Sequence, residues 1–342
     1  MRGAIVGAGL LGTRRAVDLL SIEDTRVSYV CDPDATRGAA LAERLERRQQ
    51  APCRWLESPT ALLAAERVDV ALVAVPHDQA VPVVRALLEA GLDALVEKPM
   101  GLNLAEARRL ADLAERGPAR LAVGFNYRHY PAVVRAKRLV EAGTIGRPLL
   151  LRMLLGHGGR PGYEQEWKLS RSRSGGGVLL DPGIHLLDLA RFFLGEVEAV
   201  RSHRARLFWP VDVEDSAVAV LRGERGAEAH LQTSLVEWQN RFSVHLFGDE
   251  GYIKIDGRMG NYGTQRLVLG RRWAWLEGAS QAAGDRIESF GDEDVSYRDE
   301  LQAVIEALRS GGPLPADHHD GLAAMQLVDE LYRLAGPVAQ ML

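Results

Sequence analysis

The first third of the chain alternates short apolar runs with longer amphipathic stretches, and this alternation restricts the possible folds more than any other feature. The amphipathic stretches, which include residues 35–48 and 81–90, have the period of helices. The apolar runs have the composition of strands buried on both faces, and they lie at residues 4–6, 27–30, 70–75, 94–96 and 120–125. Strands and helices in alternation build a parallel sheet with helices on both faces. The sequence therefore predicts a doubly wound α/β domain over residues 1–124.

The rest of the chain follows a different pattern. Apolar and polar residues alternate, as in half-buried strands, at residues 149–155, 199–208, 215–221, 227–236 and 242–247. Such strands in direct succession favour an antiparallel sheet. Helical patterns lie at residues 131–142, 182–193, 297–309 and 321–335. We therefore expect a second domain of α+β type over residues 125–342, with a mainly antiparallel sheet.

Length and composition favour two domains and exclude several functional classes. A chain of 342 residues exceeds what one core usually holds. Its net charge of −4, with basic and acidic residues interspersed, argues against a nucleic-acid partner. No apolar stretch reaches the roughly 20 residues that span a bilayer, and residues 1–6 lack the layout of a signal peptide. We expect a cytoplasmic protein in which Cys31 and Cys53 are buried free thiols.

The first turn of the α/β domain has the spacing of a dinucleotide-binding loop. Gly7, Gly9 and Gly12 follow the first strand and lead into a helix. The first glycine of such a loop permits a tight turn, the second lets a pyrophosphate approach the backbone, and the third lets helix and strand pack closely. Free N–H groups at the start of the helix, here at Leu10 and Leu11, bind the phosphates. The alternative is an ordinary glycine-rich turn.

An acidic residue at the end of the second strand indicates which dinucleotide binds. Asp32 lies about 20 residues beyond the glycines, where a carboxylate accepts hydrogen bonds from the ribose hydroxyls of NAD and repels a 2′-phosphate. Its alternative role is that of a turn former before Pro33. Arg37 lies close enough to accommodate NADP. We predict NAD as the cofactor, with NADP as the alternative.

The turn Glu97-Lys98-Pro99 ends a later strand of the same sheet. Ligands bind at the carboxyl ends of such strands, so Lys98 is expected near the nicotinamide. Partial burial there would favour its neutral form and suit it to proton transfer. By itself this tripeptide is better explained as an exposed Glu–Lys pair before a turn. To the cofactor site we add Glu97 and, after the preceding strand, Val75 and Pro76.

Taken with further motifs, the chain resembles the glucose–fructose oxidoreductase/inositol dehydrogenase (Gfo/Idh/MocA) family. The further motifs are Gly91 and the stretches GFNYR at 124–128, GTIG at 143–146 and GGGVLLDPGIHLLD at 175–188. The resemblance implies a Rossmann domain followed by a domain with an open-faced sheet, which binds substrate and forms oligomers. Its C-terminal helices can pack back on the first domain. It also implies oxidation or reduction of sugars, inositols or nucleotide-linked sugars without a metal.

One position departs from the family pattern. Many members carry a histidine four positions after the proline that matches Pro76, but this chain has Ala80 there. His77 lies nearby and is expected to point elsewhere. The departure puts in doubt only a secondary contact.

A second catalytic cluster is predicted near residue 185. Asp181, His185 and Asp188 would share one face of a helix, with Pro182 in its first turn and Asp181 as its N-cap. The local pattern alone favours a cap and a buried histidine, whereas the resemblance implies that Asp181 and His185 line the substrate site. A helix N-terminus disfavours imidazolium, so His185 should be neutral and able to accept a proton. Lys98, Asp181 and His185 are therefore the predicted catalytic residues, with the base being either Lys98 or His185.

A loop over residues 156–167 precedes this cluster and is rich in hydrogen-bonding and aromatic groups. Tyr163 and Trp167 could stack on a sugar ring, although an ordinary connecting loop explains the composition equally well. Arg128 completes the predicted substrate-binding set. No metal site is predicted, because the histidines are scattered and His318 and His319 fall in a proline-rich connection.

The predicted function is that of an NAD(P)-dependent dehydrogenase acting on a sugar, inositol, nucleotide-linked sugar or aminoglycoside sugar. One alternative is an NADPH-dependent ketoreductase of a nucleotide-linked keto-sugar. Another is a non-catalytic, dinucleotide-sensing regulator, against which the catalytic residues argue. The strand at 227–236 would leave an apolar sheet face uncovered, so a homodimer or homotetramer is expected.

Overall fold

The computed structural model describes residues 1–276 and 284–340, which form two compact units. The first unit comprises Met1–Phe125, Ser172–Gly175 and Tyr297–Met325. The second comprises the described residues of Asn126–Arg171, Gly176–Ser296 and Gln326–Leu342. The chain therefore enters the first unit three times.

The first unit contains a six-stranded sheet in which all neighbouring strands are parallel. Its strands are β1 (Arg2–Val6), β2 (Arg26–Cys31), β3 (Arg54–Leu56), β4 (Val70–Val73), β5 (Asp93–Glu97) and β6 (Leu121–Gly124). The order β3-β2-β1-β4-β5-β6 is that of a Rossmann domain, so this part of the predicted fold is confirmed. β3 was not predicted, because a strand of three residues leaves almost no periodic pattern.

Five helices connect these strands, and side chains fix where several of them begin. They are α1 (Leu10–Leu19), α2 (Ala35–Gln49), α3 (Pro59–Leu63), α4 (His77–Glu89) and α5 (Leu104–Arg116). Asp34, Ser58 and Asn103 cap α2, α3 and α5 by accepting a hydrogen bond from a backbone N–H of the first turn. The apolar faces of α1 and α2 pack into one core with β1, β2 and β4.

The second unit contains a nine-stranded, mainly antiparallel sheet within the described residues, which confirms the second part of the predicted fold. Its strands are β7 (Pro148–Gly156), β8 (Val197–Arg206), β9 (Ser216–Gly223), β10 (Glu228–Ser234), β11 (Arg241–Gly248), β12 (Gly251–Asp256), β13 (Arg266–Arg271), β14 (Arg286–Ser289) and β15 (Ala339–Gln340). The order is β14-β13-β12-β11-β7-β10-β9-β8-β15. β7 and β10 are parallel, as are β8 and β15. The sequence analysis did not predict β12 to β15, which are short or interrupted by charged residues.

Helices α6 (Pro131–Glu141), α7 (Arg171–Ser174) and α8 (Ile184–Leu194) precede or separate the first strands of this sheet. α8 lies against β7, β8 and β10 and buries apolar residues that alternate along them, such as Leu151, Met153 and Leu231. Residues in between point to the opposite face. On that face Arg152 lies opposite His230 of β10 and His245 of β11, so this part of the face carries polar side chains. The uncovered apolar patch expected around residues 227–236 is therefore not found on β10, because the residues of this strand that face away from α8 are polar.

Two long helices, α9 (Ser296–Ser310) and α10 (His318–Ala335), end the chain before β15. In α9, Leu301, Val304 and Ile305 belong to the same buried core as β1 and β4 of the first unit. Among the described residues, no helix combines the length and apolarity that crossing a bilayer requires. Cys31 and Cys53 are both buried free thiols, as predicted, and burial raises the pKa of each to about 12.

Candidate active site

The loop after β1 has the close contacts that its glycines predict. Gly7 has a φ of +97°, and a Cβ at this position would lie 2.4 Å from the carbonyl oxygen of Ala74. A Cβ on Gly12 would lie 1.8 Å from the carbonyl oxygen of Gly7. Both positions therefore require glycine, because any side chain would force the start of α1 away from β1 and β4. We call residues 7–12 together with Asp32 the cofactor cradle.

Gly9 differs from the other two glycines of the cradle. No atom lies within 4 Å of the place that its Cβ would occupy, so the space above its backbone is open. Gly9 is the N-cap of α1 and offers no side chain to the helix. The first intrahelical bond runs from Thr13 to Gly9, which leaves the N–H groups of Leu10, Leu11 and Gly12 ahead of it. Leu10 is 93% exposed beside this opening. Open backbone and free N–H groups at a helix N-terminus fit a pyrophosphate.

Asp32 lies at the end of β2 with its carboxylate buried. Its Oδ2 accepts the N–H of Ala8 at 2.7 Å, and its Oδ1 accepts the N–H of Asp34 at 2.9 Å. Arg37 donates to both oxygens, at 3.2 Å from Nε and 2.7 Å from Nη2. Burial alone would raise the pKa of Asp32, but these hydrogen bonds outweigh burial and hold the pKa below its ordinary value. Asp32 is therefore a carboxylate, and any further hydrogen-bond donor that approaches it must share it with Arg37.

The other residues predicted for the cofactor site lie at the ends of neighbouring strands. Val75 and Pro76 are half-buried and follow β4, and Val75 lies against the position of a Gly7 Cβ. The Glu97 carboxylate instead accepts a hydrogen bond from Nε of Arg15 at 2.7 Å. The Arg15 guanidinium is fully buried and also pairs with Glu300 of α9 at 2.5 Å. The structure therefore shows the Glu97 side chain tying β5 to α1, a contact that the sequence did not indicate.

Lys98 follows directly after β5 and is half-buried. The peptide bond between Lys98 and Pro99 is cis. His77 lies at the start of α4 and is buried, with Nδ1 at 3.0 Å from the carbonyl oxygen of Ser174. Its ring is thus engaged with the backbone of the segment Ser172–Gly175, which belongs to the same unit.

Asp181 belongs to the second unit and lies in the turn that precedes α8. The prediction that it caps this helix is wrong: α8 begins at Ile184, its N-cap is Gly183, and no side chain caps it. Its carboxylate lies 3.5 Å from Nζ of Lys168, which the sequence analysis did not single out. The charge of Asp181 raises the pKa of Lys168 above its ordinary value, although burial opposes this. Lys168 is therefore a stable cation that holds Asp181.

A buried carboxylate, that of Glu214, holds the turn that contains Asp181. Glu214 is fully buried and accepts the N–H groups of Gly177 at 3.1 Å and Leu179 at 3.2 Å. The Tyr332 hydroxyl donates to the same oxygen at 2.8 Å. A charge that accepts several hydrogen bonds in the interior holds the attached backbone firmly. Glu214 therefore positions the segment that leads to Asp181.

His185 lies in the first turn of α8 and is buried. Its ring stacks on that of Tyr127, with centroids 3.8 Å apart and planes 2° from parallel. The Arg258 guanidinium lies 5.2 Å from the Tyr127 ring centroid. Arg128, predicted to bind substrate, donates from Nε to Asp188 at 2.9 Å, and Asp188 is fully buried. The structure therefore gives the Arg128–Asp188 pair a role in fixing α8.

The loop before α7 contributes aromatic groups to the same unit. The Tyr163 ring meets those of His157 and Trp209 edge to face, with centroids 5.6 and 5.9 Å apart. Burial raises the pKa of Tyr163 to about 12, so its hydroxyl stays protonated. Burial and the charges of Arg258 and Lys168 lower the pKa of His157, so this ring is neutral. Trp167 is half-buried, with Nζ of Lys168 5.9 Å from its ring centroid.

The predicted site residues therefore fall into two groups. Lys98 belongs to the first unit with the cofactor cradle, whereas Arg128, Tyr163, Trp167, Asp181 and His185 belong to the second. Sequence reasoning missed a further set of partners, namely Arg15, Tyr127, His157, Lys168, Glu214 and Arg258. Tyr127 lies inside the GFNYR motif, which was the available signal for it. We call Tyr127, His157, Lys168, Asp181 and His185 the substrate cluster.

Comparison with known proteins relates both units to one family. Residues 1–125 match the model of an oxidoreductase family with an NAD-binding Rossmann fold. Residues 133–254 match the model of the GFO/IDH/MocA C-terminal domain. The chain is 30% identical to myo-inositol 2-dehydrogenase of Thermotoga maritima, over 96% of this chain and 94% of that protein.

Solved structures give the same result. GenD2 from gentamicin A biosynthesis, in complex with NAD, superposes with a TM-score of 0.80 and 25% identity, covering 98% of this chain and 94% of that one. Levoglucosan dehydrogenase, in complex with NADH and levoglucosan, superposes with a TM-score of 0.84 and covers 98% of this chain and 97% of that one. Its identity is 20%, so this second likeness concerns the fold alone.

Proposed function

Because the chain belongs to the Gfo/Idh/MocA oxidoreductase family, we propose that it transfers a hydride between a secondary alcohol of a sugar or cyclitol and NAD. The observation that carries this proposal is the presence, in one chain, of a complete cofactor cradle and of the substrate cluster. The related inositol 2-dehydrogenases act on cyclitols, which carry several hydroxyl groups, and this fits a cluster rich in hydrogen-bonding side chains and aromatic rings.

The cofactor cradle fits NAD. The open backbone at Gly9 and the N–H groups of Leu10 and Leu11 would hold the pyrophosphate, and Asp32 would hold the adenosine ribose. NAD, when bound, supplies the group that accepts or returns the hydride. The contact between Arg37 and Asp32 makes NADP the second choice: Arg37 could leave the carboxylate for a 2′-phosphate, but the anionic Asp32 would repel it.

The protein must also move a proton. As the hydride leaves the carbinol carbon, the hydroxyl oxygen loses its proton to a base and the carbinol becomes a ketone; in reverse the same group returns the proton. Lys98 and His185 are the two proposed bases. His185 is stacked against Tyr127, which fixes the plane of its ring. Asp181 would orient the hydroxyl, and Lys168 would hold Asp181 in place. Because Lys168 stays cationic, it is not itself the base.

Aromatic side chains of the second unit are proposed to bind the substrate ring. Tyr163 and Trp167 offer faces on which the apolar side of a sugar or cyclitol could stack. Tyr163 is braced by His157 and Trp209, so little conformational freedom would be lost on binding.

We also propose that the protein works as a homodimer or homotetramer in the cytoplasm. Val218, an exposed apolar side chain on the sheet face opposite α8, supports an interface between copies through that face. The free thiols Cys31 and Cys53 support a reducing compartment. Light scattering at micromolar concentration should give at least twice the mass of the chain, and a monomer mass would contradict the assembly.

A substrate panel tests the proposed function. The purified protein would be mixed with NAD and, in turn, with inositols, aldoses, levoglucosan and aminoglycosides, and NADH formation would be followed by absorbance. At least one polyol should be oxidised, and His185→Gln should abolish the signal with that same compound. If NAD binds but no compound on the panel, nor any nucleotide-linked sugar, is turned over, the dinucleotide-sensing alternative replaces this proposal.

A further inference from the structure

Three potential metal ligands meet on the surface of the first unit, where two consecutive histidines face a glutamate from a distant part of the chain. Glu115 lies in the last turn of α5, and His318 and His319 are the first two residues of α10. Nε2 of each histidine lies 3.1 Å from Oε2 of Glu115. The three ligand atoms all lie within 4.8 Å of one another. None of these residues belongs to the cofactor cradle or the substrate cluster.

The distances suit a small divalent ion. Zinc binds nitrogen and oxygen at about 2.0–2.2 Å in tetrahedral sites, which places neighbouring ligand atoms roughly 3.4 Å apart. The observed spacing of 3.1 Å needs only a small outward movement of Glu115, whose side chain is 63% exposed. His319 is 65% exposed as well, so both side chains can adjust without disturbing the core. His318 is the fixed ligand, since its side chain is mostly buried.

The ligand types and the helix ends narrow the choice of ion. Two imidazole nitrogens and one carboxylate oxygen suit zinc and neighbouring transition metals, whereas calcium and magnesium prefer oxygen ligands throughout. Glu115 lies at the carboxyl end of α5, where the helix dipole favours a cation, whereas the dipole at the start of α10 opposes one, so the ligands themselves must supply the affinity. The exposure of Glu115 and His319 leaves room for water in a fourth position.

We propose that Glu115, His318 and His319 form a binding site for a zinc-type divalent ion that ties the end of α5 to the start of α10. The segment just before α10 already pairs with the sheet, since the N–H of Val123 in β6 donates to the carbonyl oxygen of Ala316 at 3.1 Å. An ion at this site would hold that connection on the first unit. This departs from the sequence analysis, which had no reason to bring Glu115 to the two histidines.

The test uses the full chain, stripped of metal with a chelator, and Zn²⁺ and Co²⁺ as probes. Calorimetry should show one equivalent of Zn²⁺ bound, and Co²⁺ should develop visible ligand-field absorption. His319→Ala and Glu115→Gln should each weaken Zn²⁺ binding at least about tenfold and abolish the Co²⁺ bands. His230→Ala is the matched control, because His230 is an exposed histidine 3.2 Å from Glu228 and should leave binding unchanged.

Thermal unfolding gives a second readout that does not depend on activity. With Zn²⁺ in excess, the wild-type melting temperature should rise by several degrees, because an ion that binds only the folded state stabilises it. The two ligand variants should melt like the wild type in chelator and should gain nothing from Zn²⁺. Absence of saturable binding to the wild type, or binding that survives in both variants, overturns the proposal. Neither result depends on whether the protein oxidises a polyol.

Discussion

The cofactor cradle of the first unit is made chiefly of backbone, whereas the substrate cluster of the second unit is made of side chains that hold one another. In the cradle, Gly7 and Gly12 are fixed by the close approach of neighbouring carbonyl oxygens, and the groups proposed to bind phosphate are backbone N–H groups. In the cluster, Asp181 depends on Lys168 and His185 depends on Tyr127. A substitution that adds a side chain at a glycine should therefore impair the cofactor cradle. A substitution that removes a side-chain partner should impair the substrate cluster.

Lys98 tests this comparison, because its side chain belongs to the first unit, whose cofactor cradle consists chiefly of backbone. Lys98→Ala should lower turnover by roughly 10²–10⁴-fold, the usual contribution of a positioned acid or base. NAD affinity should stay within a few-fold of the wild type, because the cradle does not use this side chain. Steady-state kinetics and calorimetry would measure the two quantities, with Lys254→Ala, at a half-buried lysine of β12, as control. Near-normal turnover would remove Lys98 from the proposed mechanism.

Substitutions of Lys168 show whether a residue of the substrate cluster acts by positioning another group or is itself catalytic. Lys168→Met keeps most of the side-chain volume but releases Asp181, and it should lower kcat by about 10- to 100-fold, the cost of misplacing a reacting group by about an ångström. Lys168→Arg should recover part of the loss, because it restores the cation beside Asp181. Lys254→Met is the matched control in the same unit. A change confined to KM would instead make Lys168 a substrate-binding residue.

The smallest effects on cofactor affinity are expected for Asp32 and Arg37, the side chains at the cofactor cradle. Asp32→Asn should weaken NAD binding about tenfold and narrow the preference for NAD over NADP, because it removes one charged hydrogen-bond acceptor and the repulsion of a 2′-phosphate. Arg37→Ala should change NAD affinity by no more than about threefold, since Arg37 is half exposed and two backbone N–H groups still hold the Asp32 carboxylate. The same variant should reduce the affinity for NADP more than it changes the affinity for NAD. Titration of both cofactors into both variants measures this, and a wild-type preference for NADP would contradict the role of Asp32.

The difference between a cradle made of backbone and a cluster made of side chains also explains which features the sequence could predict. The parallel sheet of the first unit and the glycine contacts follow from local patterns, because each depends on residues close in the chain or on regular strand–helix alternation. The pair Arg15–Glu300 joins the beginning of the chain to α9, and no periodicity records such a contact. Lys168 and Asp181 likewise meet through a turn whose shape depends on the buried Glu214.

The start of α8 shows the limit of local reasoning most clearly. An aspartate followed by proline predicts a capped helix beginning at residue 182, but the structure delays the helix to Ile184. The N–H groups of Gly177 and Leu179 are held by Glu214, and the N–H of Asp181 donates to the carbonyl oxygen of Gly177 at 2.8 Å. These bonds form a turn before the helix and leave the Asp181 side chain facing Lys168. Tertiary contacts therefore replaced the local preference.

The most direct test of the comparison is NAD affinity, measured by calorimetry in Gly9→Ala and His185→Gln with turnover recorded beside it. The Cβ of an alanine at residue 9 meets no protein atom, so Gly9→Ala should fold and melt like the wild type. It should nevertheless lose at least about tenfold in NAD affinity, because the methyl group occupies the space left for the pyrophosphate. His185→Gln should bind NAD within about twofold of the wild type while losing at least about 10²-fold in turnover. Unchanged NAD affinity in Gly9→Ala, or a loss of affinity in His185→Gln as large as its loss of turnover, would contradict the division between a backbone cradle and a side-chain cluster.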